Sequence, residues 1–302
     1  MMNPMRHSRA DARRRRGFTL VEMLTTLVIL GIIGGALVKL IMVQARFSQT
    51  QMALRSARNV SRSAMNVVVT DLRMVQDSGG LVAASPDSVT VRIPLAFGLV
   101  CNTSGGGVTL SLLPADSAMV ALGVYAGYAI RDSASGLYSY TPAAHRLRVT
   151  NLNSGLAATC TTAGISTVTY GTRSSTIVTL NDSPVGNSNV GWPAFIYQRV
   201  TYKFANSTAY PGRKGLWRFV ATDDPNSPVA DEIIAPFDSS AKFRFYALNA
   251  DAAQDTLPTR LSDVRGVELV LAGSSNEQLT ANQQAKQATM VTGVFFKNRR
   301  DP

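Results

Sequence analysis

The sequence predicts an α+β fold in which one long N-terminal helix, hydrophobic in its first half and amphipathic in its second, packs on a β-rich globular head. Two observations carry this. Residues Phe18 to Gln76 contain no proline; they run apolar and then take up a three- and four-residue hydrophobic period. After Gly80 the pattern changes to short alternating segments separated by Gly-, Ser- and Asn-rich stretches. The expected division is a leader over 1–17, the apolar half of the helix over 18–43, its amphipathic half over 44–77, and the head over 78–302.

The leader holds six arginines and one aspartate, which is +5 of the formal net charge of +11. The remaining 24 basic and 18 acidic side chains leave a mildly basic balance, which is no proof of nucleic-acid binding. The leader charge instead keeps the N-terminus on the cytoplasmic side of a membrane. Directly after Arg13 to Arg16 come Gly17, Phe18, Thr19, Leu20, Val21 and Glu22: a small residue, an aromatic, and one carboxylate at the mouth of the apolar run. An unpaired acid at that depth is costly and marks a functional site. Its most economical partner is an α-amino group freed by a cut just before Phe18, and a helix N-terminus also favours a nearby anion. An arginine-rich arm ahead of an apolar run fits a plain membrane anchor or a secretory signal as well. The acid inside the run speaks against a cleaved signal, and so does apolar sequence that continues past Gly34-Gly35-Ala36 to Leu40, Ile41 and Val43.

These residues resemble the type IV prepilins and type II secretion pseudopilins. The shared signature is a basic leader, a Gly, then Phe-Thr-Leu-Val/Ile/Leu-Glu at the head of a hydrophobic helix, and Gly17 to Glu22 show it without a mismatch. The resemblance implies that prepilin peptidase cuts between Gly17 and Phe18 and methylates the Phe18 amine. It implies that Glu22 pairs with the Phe18 amine of a neighbouring subunit during filament assembly. Other minor and major pilins or pseudopilins are then the partners. The location is an inner-membrane single pass with a periplasmic head, and later a filament tip. Three further stretches resemble the larger minor subunits, the J-type pseudopilins and PilW-type minor pilins. They are Asp71-Leu72-Arg73, Val200 to Phe204 with Gly215 to Arg218, and Leu261 to Glu268. The implied role is a low-copy, non-enzymatic subunit that helps initiate or cap a type IV pilus or secretion pseudopilus. Many major pilins carry a proline in the spanning half, where this chain has Lys39 instead.

Along the helix, Met23 to Val38 is short for a membrane span. Adding Phe18 to Val21 and letting Lys39 snorkel reaches the roughly 20 residues required. Gly31, Gly34 and Gly35 would each weaken a soluble helix by about 1 kcal/mol, but they let neighbouring helices approach closely. Beyond the span, Leu54, Ala57, Val60, Ala64, Val68, Leu72 and Val75 form the stripe expected to pack on a sheet. Arg55, Arg58, Arg62 and Asp71 fall largely outside it. Asp77-Ser78-Gly79-Gly80 supplies the stop, which gives a helix of about 85–90 Å.

In the head, strands are expected at Val89–Ile93, Val108–Leu112, Met119–Val124, Arg146–Val149 and Thr176–Leu180. Asn151 to Ser154 and Asn181 to Asn189 read as loops. A hairpin follows: Val200, Tyr202 and Phe204 alternate, Pro211 to Gly215 turns, and Leu216 to Val220 returns. Phe243 to Ala247, Val264 to Leu271 and Met290 to Phe296 close the series. Cys101 and Cys160, an even count downstream of an export segment, point to one disulfide. Two separate buried thiols are the alternative.

No catalytic set emerges. His7 leaves with the leader, and His145 alone cannot make a zinc site. Neither GxSxG nor HExxH occurs. Gly105-Gly106-Gly107 lacks the ending of a phosphate loop, and Asp223-Asp224-Pro225-Asn226 lacks the carboxylate spacing of an EF-hand. No metal and no cofactor is expected, and a membrane-anchored periplasmic enzyme is disfavoured. Arg199, Lys203, Arg213, Lys214 and Arg218 interleave with Tyr197, Tyr202, Tyr210 and Trp217. That pattern gives the alternative function, a DNA-receptor pilin, unless strand alternation turns the aromatics inward and the charges outward.

Overall fold

The computed structural model describes residues 17–76, 78–103, 107–113, 115–116, 119–120, 123–142, 147–154, 160, 169–170, 173–174, 176–180, 185–186, 189–220, 229–276 and 285–296. The chain divides into two compact units, 1–51 and 52–302. The boundary falls inside the single long helix α1 (Leu20–Leu72). In the first unit every large apolar side chain from Phe18 to Phe47 is exposed. Among the described residues α1 is the one helix long and apolar enough to cross a membrane. A surface of that kind suits lipid or neighbouring helices rather than water.

In the second unit Ala57, Ala64, Val68, Leu72 and Val75 of the expected stripe are buried, Leu54 and Val60 are half-buried, and Ala53, Ser61 and Val69 join the buried face. Ala53, Ala57, Ser61, Ala64, Val68, Val69 and Leu72 all face the sheet, while Arg55, Arg58 and Arg62 face outward. The helix ends at Leu72, short of the Asp77 stop. Its hydrogen bonds tighten there from Arg73 N–H on Val69 O to Met74 N–H on Asp71 O and Val75 N–H on Leu72 O. The last turn thus closes on three-residue spacing, and Val75 stays buried without the helix continuing.

Among the described residues sixteen strands follow. They are β1 (Leu81–Ser85), β2 (Ser88–Asn102), β3 (Val108–Leu112), β4 (Gly123–Tyr125), β5 (Gly127–Arg131), β6 (Tyr138–Tyr140), β7 (Leu147–Ser154), β8 (Thr169–Tyr170), β9 (Arg173–Ser174), β10 (Thr176–Leu180), β11 (Pro193–Asn206), β12 (Lys214–Val220), β13 (Val229–Phe237), β14 (Lys242–Ala247), β15 (Val264–Ser274) and β16 (Gln287–Phe295). Fourteen of them form one sheet in the order β14-β15-β13-β12-β11-β2-β3-β10-β7-β4, with β1 on β2, β5 on β11, β6 on β5 and β16 on β15. The spine is the long antiparallel pair of β2 and β11, which runs from Lys203↔Ser88 to Pro193↔Leu99 with one shift of register. Pro94 lies within β2 where the register shifts between Ile196↔Ala96 and Tyr197↔Pro94. A bulge is where a central strand tolerates a residue without an N–H.

The two halves of the spine serve different cores. One half, with β12 to β16, closes over α1 in a cluster built on Leu72, Tyr202, Phe204, Phe237, Phe243 and Leu269. Phe204 anchors it, with its ring 5.1 Å from Phe243 and 5.4 Å from Phe237. The other half packs Ala96, Leu110, Tyr128, Val178 and Ile196 in a second cluster. On the opposite face Tyr138 and Tyr140 of β6 cover Phe195 and Tyr197, with the Arg92 guanidinium 4.6 Å from the Tyr140 ring.

Two expected segments differ. Met119 belongs to a turn, its N–H donating to Asp116 O while the Asp116 carboxylate accepts from Phe97 N–H, so the strand begins only at Gly123. Asn151 to Ser154, expected as a loop, is strand: β7 continues through Ser154, with Leu152 opposite Val178 and Ser154 opposite Thr176. Pairing with β10 overrides the turn preference of Asn and Ser. His145, Arg146 and Asp223 to Asn226 lie outside the described residues, as does most of Asn181 to Asn189.

Cys101, near the end of β2, is joined to Cys160, with their Cα atoms 4.7 Å apart and 59 residues between them in sequence. Both are buried against Ile177. A closed loop of that length contributes about 4 kcal/mol on the chain-entropy account. The Cys101→Ala/Cys160→Ala variant is therefore expected to lose about that much stability in urea unfolding of the full chain. The wild-type chain treated with reductant should follow the same curve.

Candidate processing and assembly site

The N-terminal site is built by the way α1 begins. Gly17, Phe18 and Thr19 are non-helical and exposed, so the Gly17–Phe18 peptide bond precedes the first turn rather than lying within it. Thr19 caps the helix: its Oγ1 and its carbonyl oxygen both accept from Glu22 N–H, at 3.3 and 3.1 Å. Thr-Leu-Val-Glu is the sequence of a capping box, a signal that places the helix start at Leu20 instead of Phe18. The cap puts Glu22 in the first turn, with an exposed side chain beside the positive end of the helix dipole. Thr25 and Thr26 donate back to the Glu22 carbonyl at 3.0 and 2.8 Å, which leaves the carboxylate as the free polar feature of that turn. Among the described residues, and apart from sequence neighbours and the helix's own backbone, nothing lies within 4 Å of where a Cβ on Gly17, Gly31, Gly34 or Gly35 would sit, so packing within the chain does not require glycine there.

The head brings together residues that are far apart in sequence. Tyr202 donates to the Asp71 carboxylate at the end of α1, and Arg218 Nε stands 3.9 Å from the same carboxylate. Burial raises the Tyr202 pKa well above its ordinary value, and the neighbouring Asp71 raises it further. The phenol thus remains a donor at all ordinary pH. Asp71 to Arg73 at the end of α1 and Val200 to Phe204 with Gly215 to Arg218 thus meet at the joint between helix and sheet. Tyr202→Phe removes this donor but leaves Arg218 beside the partly exposed Asp71 carboxylate, and is expected to cost about 0.5–1.5 kcal/mol in chemical unfolding.

The cationic cluster read from the sequence is dispersed by the fold. Tyr197 and Tyr202 are buried, and Arg218 turns to the helix side with Asp71. Arg213 donates to Ser274, Lys214 pairs with Asp87 at 2.9 Å, and Trp217 Nε1 donates to Asn206 O. Arg199 and Lys203 fall on the other face of β11, by strand alternation from Val200 and Tyr202. The basic and aromatic residues are thus divided between the two faces of the β11–β12 hairpin and its turn, with Lys203 opposite Trp217 on the outer face. Among the described residues no group of three or more His, Cys, Asp or Glu is placed to hold a metal.

Residues 12–38 match the family described as the prokaryotic N-terminal methylation motif. No curated protein and no solved structure matches the chain. With a type IV prepilin-like methylation motif at the head of a long apolar helix, the chain fits the type IV pilin and pseudopilin superfamily.

Proposed function

We propose that this chain is a minor pilin or pseudopilin, a low-copy structural subunit that helps initiate or cap a filament after prepilin peptidase has processed it. The observation that carries the reading is the exposed Gly17–Phe18 bond directly ahead of a capped helix with Glu22 in its first turn. Cleavage there frees the Phe18 amine, which the peptidase then methylates. The apolar half of α1 anchors the chain in the inner membrane with its head in the periplasm. In assembly Glu22 of one subunit takes the Phe18 amine of its neighbour, so that two charges which are costly in an apolar setting neutralise each other. A minor role is supported by the large β-rich head and by Lys39 inside the apolar half.

The deciding experiment is the intact N-terminal mass of the protein from its native membrane. A chain that begins at N-methylated Phe18 is expected. A start at Met1 or Met2 beside an active peptidase, or a cut beyond Ala36, would overturn the reading.

A further inference from the structure

From Met23 to Thr70 the sequence contains no Asp or Glu, yet it carries Lys39, Arg46, Arg55, Arg58 and Arg62. In the second unit Arg55, Arg58 and Arg62 are exposed. Among the described residues none of the three forms an ion pair. At 3.6 residues per turn they fall within about 60° of arc and along about 10 Å of helix. The buried Ala53, Ala57, Ala64 and Val68 lie on the opposite side. Beside the stripe a groove runs between α1 and β13, lined by Met52, Val60, Ile233 and Ile234, with Arg55 and Asn59 also at it. No carboxylate lines this groove.

We propose that this face of α1 docks an acidic helix of a different subunit, one with carboxylates at three- and four-residue spacing and apolar side chains on the adjoining flank. The charge pattern selects the partner. Against the same segment of a second copy, arginine would oppose arginine with no acid in reach, and like-charge juxtaposition at an interface excludes the wrong partner. Against a helix with Asp or Glu at matching positions, three guanidiniums gain charge-assisted hydrogen bonds while the apolar flank fills the groove. The surface is heterotypic by construction. The proposal rests on the pilin-class reading for its setting and adds what that reading lacks, the chemistry of the neighbour.

The test supplies the acidic partner from the chain itself. Full-length protein carrying Asn59→Cys is mixed in neutral detergent with protein that also carries Arg55→Glu, Arg58→Glu and Arg62→Glu, and the mixture is oxidised. The mixture is expected to give at least about tenfold more cross-linked dimer than either protein alone at about 50 mM salt, with the gain lost near about 500 mM. Equal yields in all three samples overturn the proposal. So does an equal gain when the second protein carries Arg→Gln at the three positions, because charge would then not be the cause. The mixture is also run in nanodiscs of phosphatidylcholine with and without phosphatidylglycerol. Loss of the cross-link caused by the anionic lipid alone assigns the stripe to headgroups and overturns the proposal, whereas persistence supports it. N-terminal mass is measured on the same protein from native membrane. A failed cross-link with methylated Phe18 sinks the docking surface and leaves the pilin reading standing.

Discussion

Glu22→Ala is expected to leave cleavage at Gly17–Phe18 intact and to reduce the amount of chain incorporated into filaments about a hundredfold. The two effects separate because the groups involved are distinct. Gly17 and Phe18 are untouched, and the Thr19 cap still starts α1 at Leu20 through its own oxygen atoms. Loss of the favourable charge–dipole term at an exposed first turn costs only about 0.3–1 kcal/mol, too little to unwind a 53-residue helix. In the assembled state the Phe18 amine of a neighbour would be left charged in an apolar setting. Removing one partner of a buried pair costs about 3–5 kcal/mol, which corresponds to a factor of about a hundred or more in assembly. Glu22→Gln keeps the shape and removes the charge, so it should behave like alanine. Comparing processed protein in membranes with protein in sheared filaments reads both steps, and normal incorporation of either variant would remove the electrostatic role of Glu22.

How far the sequence could be read depends on how many faces of each element are buried. The stripe on α1 was legible because one face packs and the other does not, which preserves the 3.6-residue period. Val89 to Ile93 and Val200 to Phe204 were legible for the same reason at period two. The continuation of both strands was not. Phe195, Ile196 and Tyr197 are all buried because Ile196 enters the second core while Phe195 and Tyr197 are covered by β6, so alternation disappears. β13 carries no legible strand signal because it ends in Pro236-Phe237 and contains Asp231 and Glu232, features that count against a central strand. Its outward neighbours are set by pairing with β12, which no local pattern reports. At the N-terminus the motif residues were evident, whereas the true helix start needed the capping box to be read as a cap. The joining of Asp71, Tyr202 and Arg218 depends on a fold that links positions 131 residues apart.

Gly273→Val is expected to be among the most damaging substitutions in the head, with a loss of about 5 kcal/mol and a fall in melting temperature of about 10–20 °C. At this position β15 meets the backbone of α1. A Cβ on Gly273 would collide with the Ala57 carbonyl oxygen and the Ser61 hydroxyl. The first belongs to helix backbone and cannot rotate away. The second is committed: Ser61 Oγ accepts from Gly273 N–H at 3.0 Å, and its one proton faces Leu271 O, Ala288 O and Ala57 O at 3.0, 3.2 and 3.3 Å. Relieving the clash means lifting the helix off the strand. That would strand the Gly273 N–H and open the apolar cluster around Ala64, Val68 and Leu271. Each unsatisfied buried group costs about 1–3 kcal/mol, and overpacking adds about 1–3 kcal/mol. The small residues Ala53, Ala57, Ser61 and Ala64 at three- and four-residue spacing are the sequence trace of this close approach. Ser61→Ala keeps the approach and loses only the hydroxyl, so it should cost about 1–3 kcal/mol, well below Gly273→Val. If Gly273→Val instead melted with the wild-type protein while Ser61→Ala did not, the helix would be held by hydrogen bonding and not by proximity, and the joint would have to be drawn differently.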